Sequence, residues 1–192
     1  MSDHAVLPLP APARLQVERL TQEAYAPFGW VIGDPPAGGV IEGPSALFFH
    51  AHDFGVGAGG EVELVWATYR GQKPIAEKIE MHRLTEQALI PVGAAPMLHI
   101  VAPPNADPLA PGILPDFSQA RAFLLDGSRG ICMRRGTWHM HFGIVEAATY
   151  MIITRRSTTD DLSAAIQTGS EPAETVIYKT TPILLDLSGL DL

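Results

Sequence analysis

Glu80-Met81-His82-Arg83-Leu84-Thr85-Glu86-Gln87-Ala88-Leu89-Ile90-Pro91 opens in alternation and closes in a short apolar run. Successive side chains of a strand point to opposite faces, so Glu80 and His82 share one face while Ile79 and Met81 share the other. Ala88 to Val92 reads as a second strand, Gly93 as a turn, and Met97 to Ala102 as a third strand. Downstream, Ala122–Leu125, Ile131–Arg134, Thr137–Val145 and Thr149–Thr154 continue the series, after a Pro-rich loop over 103–119. Upstream, Ala46–His50 and Glu61–Tyr69 are extended, the latter passing from alternation into an apolar run as if from an exposed to a buried setting. Thr21 caps a short helix that ends by Gly29, and 34–39 is a loop. Residues 156–175 form a polar surface excursion, and Val176–Leu185 a last strand, at an edge because it holds Pro182. About ten short strands, Gly/Pro turns and almost no helix predict an all-β sandwich or barrel.

Composition agrees. The 192 residues include 18 Gly and 17 Pro, with 46% hydrophobic and 18% charged residues. That describes one folded domain, here taken as 1–192 with an N-terminal arm over 1–14, punctuated too often for long helices. The net charge of −8 and the lack of a basic stripe argue against nucleic acid or an anionic membrane as a partner. No apolar run reaches the ~18 residues of a membrane span. The apolar, Pro-rich first residues lack the basic start of a signal peptide. The single cysteine, Cys132, cannot form a disulfide within the chain and reads as a packing residue. The cytoplasm is the expected compartment.

A second set of imidazoles stands on Trp138-His139-Met140-His141-Phe142, with His139 and His141 on one face. An isolated Glu-x-His is usually a solvated face. Two such faces on strands far apart in sequence are what a divalent metal site in a β-barrel needs, and imidazole with carboxylate suits Zn, Ni, Mn or Fe. The spacing Glu80-x-His82-x3-Glu86-x6-Gly93 resembles the first cupin motif, with Glu in its first His position. Gly136-x2-His139 resembles the end of the second, with Arg134 in place of its proline. The longer run from Glu80 to Pro91 resembles the signature of the ureidoglycolate lyase family. So do Arg121-Ala122-Phe123, Gly127, Gly130 and Arg135-Gly136-Thr137-Trp138-His139, together with Phe48-Phe49-His50 and Ala24 to Gly29. The likeness spans roughly 17–155. It departs at Met81, Arg83, Arg134, Met140-His141, and at His52, where a polar amide is usual.

That resemblance implies a cupin-type double-stranded β-helix, a jelly-roll barrel with a few short helices, acting as a homodimer. It implies a carbon–nitrogen lyase that cleaves ureidoglycolate to glyoxylate and urea with the help of a divalent metal ion. His82, Glu86 and His139 are the expected ligands. Glu80 is a fourth ligand or the base, and His141 the acid or base. Arg134 would hold the substrate carboxylate, with Arg70, Trp138 and His50 as further substrate contacts. The alternative is a divergent cupin that binds or converts another small hydroxy or keto acid.

Overall fold

The structure is a computed structural model and describes residues 12–33 and 40–190. The expected loop over 34–39 and most of the N-terminal arm lie outside the described residues. The order is β1 (Arg14–Arg19), α1 (Gln22–Tyr25), β2 (Gly29–Ile32), β3 (Val40–Glu42), β4 (Leu47–Phe49), β5 (Val62–Arg70), β6 (Ile75–His82), β7 (Gln87–Pro91), β8 (Met97–Ala102), a 3-10 turn (Phe117–Gln119), β9 (Arg121–Leu125), β10 (Gly130–Met133), β11 (Trp138–Gly143), β12 (Ala147–Arg155), α2 (Arg156–Thr168) and β13 (Thr175–Asp186).

Eight of these strands make the jelly roll. β6, β11, β8 and β9 lie side by side in one sheet; β10, β7, β12 and β5 do so in the other, with β2 beyond β10. From β5 to β12 the chain passes between the sheets at every step except β8 to β9, and all pairs among the eight are antiparallel. This is the two-Greek-key arrangement of the double-stranded β-helix that the family resemblance implies.

The chain ends add a second core. β13 pairs with β6, and β1 pairs in parallel with both β13 and β9, so the first sheet curls into a closed six-stranded ring. The wall β6-β11-β8-β9 is therefore covered twice. Every residue of β8 is buried: Leu98, Ile100 and Ala102 pack inside the ring, while Met97 and Val101 pack against the second sheet. β13 is thus an interior strand, not an edge. Pro182 sits where the β13–β6 register shifts, between Lys179 and Ile183, a break that removes the need for its missing N–H. The polar excursion is also more ordered than expected, since Arg156–Thr168 is a helix closed by Gly169 at φ 72°.

Trp138 belongs to the ring core. It is fully buried, its indole N–H donates to Asn105 Oδ1 at 2.8 Å, and it meets Tyr178 edge-on. It faces away from His139, into the ring core, and not toward the space between the sheets where a substrate contact was expected. Trp138→Ala is expected to cost about 3–5 kcal/mol of stability through the cavity it leaves, measured by urea unfolding.

β5 differs from its expected setting as well. It alternates to its end, with Val62, Leu64 and Trp66 outward and 55%, 66% and 63% exposed, while Val65, Ala67 and Tyr69 pack against the core between the sheets.

Candidate active site

The catalytic candidates lie between the two sheets, on the outer side of the ring wall, rather than inside the closed ring. Strand parity puts Glu80 and His82 on that side of β6, His139 and His141 on that side of β11, and His99 there on β8. Register then brings them together: His139 stands opposite Glu80, and His141 opposite His99. The turn before β11 holds the register. Gly136, at φ 81°, donates its N–H to His82 O at 3.0 Å, and the Thr137 hydroxyl bonds Phe28 O at 3.0 Å.

One donor atom each from Glu80, His82 and His139 lies within 4.8 Å of the others. The tautomers follow from the neighbours. His139 Nδ1–H donates to Thr137 O at 2.9 Å, which leaves a lone pair on Nε2. That Nε2 is buried without a hydrogen bond among the described residues, 3.9 Å from Glu80 Oε1. His82 Nδ1 bonds the Thr175 hydroxyl at 3.0 Å, and its Nε2 accepts from the Gln87 amide at 3.2 Å. Both imidazoles have Nδ1 anchored behind, as metal-ligating histidines do, and His82 would exchange its Gln87 bond for an ion on Nε2. The orphaned Nε2 of His139 and the mixed nitrogen and oxygen donors fit a divalent ion. The Glu80 side chain is 26% exposed against 2% for His139, so the cluster opens toward Glu80.

Beside it runs a second chain of polar groups. His141 and His99 stack with Nδ1 atoms 3.0 Å apart, and His99 Nε2 meets the Tyr25 hydroxyl at 3.0 Å. The His141 Nε2 is buried with no hydrogen bond among the described residues. Tyr69 packs edge-on against His141, its phenol pushed up by burial and then by Glu80, so it stays a neutral hydroxyl.

Burial lowers the pKa of all four histidines. His82 falls to about 3, with His139 adding to the effect, and His99 and His141 fall well below the ordinary value. His139 is lowered too, less the opposing pull of Glu80. Between pH 6.5 and 3 the unfolded chain binds protons that the native His82 refuses, so stability falls as pH drops through that window. Each such imidazole contributes a slope of up to ~1.4 kcal/mol per pH unit. Metal-free protein is expected to lose stability steeply from pH 6.5 downward, and His82→Gln should flatten the slope. Urea midpoints across pH check this.

Several expected site residues lie elsewhere. Glu86 immediately precedes β7, where Gln87 and Leu89 turn inward and Glu86 and Ala88 outward. Gln87, not Glu86, therefore reaches His82, and Glu86 bonds His52 at 2.8 Å and the Gly55 N–H at 2.7 Å. Arg134 lies over the Trp30 ring at 4.7 Å and donates to Ala26 O, outside the site. Arg135 and Arg70 are exposed. His50 pairs at the surface with Asp53 at 3.1 Å. Tyr25, Tyr69, Gln87 and His99 were missed. Tyr25 and Gln87 stand within the stretches that carry the family resemblance, and His99 is the lone polar residue of an otherwise apolar strand.

Comparison with known proteins bears on this site. The family profile described as ureidoglycolate lyase matches residues 12–171. The chain belongs to the ureidoglycolate lyase family. It is 33% identical over 147 residues to ureidoglycolate lyase 1 of Rhizobium meliloti, covering 74% of this chain and 82% of that one. It is 31% identical over 149 residues to the ureidoglycolate lyase of Pseudomonas syringae, covering 75% and 84%. Among solved structures, Bacillus subtilis oxalate decarboxylase aligns over 72% of this chain and 45% of its own at 11% identity, with a TM-score of 0.34. The ureidoglycolate lyase match holds both jelly-roll sheets and every site residue except Thr175, the anchor of His82 on β13.

Proposed function

We propose that this protein cleaves ureidoglycolate to glyoxylate and urea in the space between its two sheets. The observation that carries the reading is the convergence of Glu80, His82 and His139 on one point, beside the unpaired Nε2 of His141, in a chain of this family. Glu80, His82 and His139 would hold a divalent ion, Zn, Ni, Mn or Fe. Such an ion supplies Lewis-acid pull on the oxygens of an α-hydroxy acid and lowers the hydroxyl pKa. The elimination moves one proton: the hydroxyl loses it as C=O forms, the C–N bond breaks, and the urea nitrogen gains it. His141 is kept neutral by burial and can take that proton on Nε2 and return it. His99 and Tyr25 continue the hydrogen-bond chain behind it, so either ring tautomer of His141 is available. Tyr69 and Gln87 offer neutral donors at the wall, and the surrounding apolar residues of the second sheet exclude water.

The test is product release from ureidoglycolate by the purified protein. Urea and glyoxylate should appear in equal amounts, stop on chelation and return on adding back a divalent ion. Metal uptake without glyoxylate from either enantiomer would point instead to another small hydroxy or keto acid.

We also infer that the protein works as a homodimer in the cytoplasm. The outward face of β5 exposes Val62, Leu64 and Trp66 on the last strand of its sheet, an edge that a second copy would cover about a two-fold axis. Light scattering should give a dimer mass for the wild type and a monomer mass for Trp66→Glu. The sole cysteine, Cys132, requires no oxidising compartment.

A further inference from the structure

A second group of donor side chains lies on the opposite face of the five-stranded sheet, away from the catalytic cluster. Strand parity turns Glu86 outward at the start of β7 and Cys132 outward on β10, where Cys132 is in register with Ala88 on one side and Trp30 on the other. His52 arrives from the loop after β4. One donor atom from each of His52, Glu86 and Cys132 lies within 4.8 Å of the others.

The three side chains are held rather than merely near. The His52 ring stacks on Trp30, centroids 4.0 Å apart and planes at 29°. The Glu86 carboxylate is oriented by the Gly55 N–H, and the Glu86 N–H donates to Gly55 O at 2.9 Å, so loop and strand start are clasped in both directions. The two hydrogen bonds of the carboxylate both fall on Oε2. One donor thus stands on β10, one just before the neighbouring β7, and the third is set by an aromatic stack.

We infer that His52, Glu86 and Cys132 form a second divalent-metal site, of the zinc type, with a coordination position left for water or an outside ligand. Imidazole, carboxylate and thiol together select zinc over magnesium or calcium, which take oxygen donors. The site is graded in access: the Cys132 residue is buried, while the His52 side chain is 30% exposed and that of Glu86 13%. An ion can enter from the His52 side. The ligand form of cysteine is the thiolate, so loading would release a proton. A bound ion would tie residue 52 to residues 86 and 132 and clamp the loop onto the sheet.

The inference does not depend on the lyase reading, and the variants separate the two. Metal-free wild type titrated with Co(II) should bind two ions per chain and develop a thiolate-to-cobalt absorption band in the near ultraviolet. Cys132→Ala should lose the band and one ion. His82→Ala should keep the band and lose the other ion. His52→Ala, in the loop, leaves the packed Cys132 untouched and should bind the second ion at least about tenfold more weakly, with a smaller zinc-induced rise in melting temperature than the wild type. One ion per chain with no thiolate band overturns the inference. So does a His52→Ala protein that titrates like the wild type.

Discussion

In a His139→Ala variant, glyoxylate release from ureidoglycolate is expected to fall about a thousandfold or more. Lewis-acid stabilisation by a bound ion is worth several kcal/mol, and each 1.36 kcal/mol is tenfold in rate. His139 contributes an unpaired buried nitrogen to the three-donor cluster, and its removal leaves only Glu80 and His82. The fold should persist, because the two apolar cores are built from other side chains. Metal content measured beside activity separates loss of a ligand from loss of structure. A variant that retains its ion at the catalytic site and full turnover would remove His139 from the mechanism.

His141→Ala is the second large effect. General acid–base groups contribute about 10²–10⁴-fold, and a loss in that range is expected here with catalytic-site metal retained. Activity and metal binding therefore part company in this variant, as they do not in His139→Ala. The pH profile carries a further sign. Burial holds the His141 pKa well below the ordinary value, so the wild type should keep its activity as pH falls below about 6.5, where an exposed imidazole would be protonated. Tyr25→Phe, which ends the hydrogen-bond chain at His99, should lower kcat more than it raises KM. A His141→Ala protein with wild-type kcat would assign the proton transfer to another group.

The position of Glu86 shows how one step along a strand assigns a carboxylate to one face of a sheet or the other. Glu86 and Gln87 differ by one step along the chain, and the pleat sends one to each face of the sheet. The motif spacing pointed to the acid, but the strand begins so that the amide faces His82 and the acid faces His52 and Cys132. The same parity makes β5 expose Leu64 and Trp66 while its alternate residues pack inward. Arg134 likewise ends beyond its strand, where Trp30 captures it.

By itself the sequence determined everything that a two-residue repeat can encode. Glu80 with His82, and His139 with His141, share faces because strand geometry is local, and the turn residues between short extended runs made an all-β sandwich or barrel legible, with the jelly roll implied by the family resemblance. What only the tertiary structure decided is which faces meet. The register of β11 set His139 against Glu80 and His141 against His99. The parallel pairing of β1 with β13 and β9 closed the ring, which buried Trp138 on one side of the wall and left the histidines on the other. The cause is physical: side-chain alternation comes from the backbone of each strand alone, while register and closure come from burying two apolar surfaces at once, between residues far apart in the sequence.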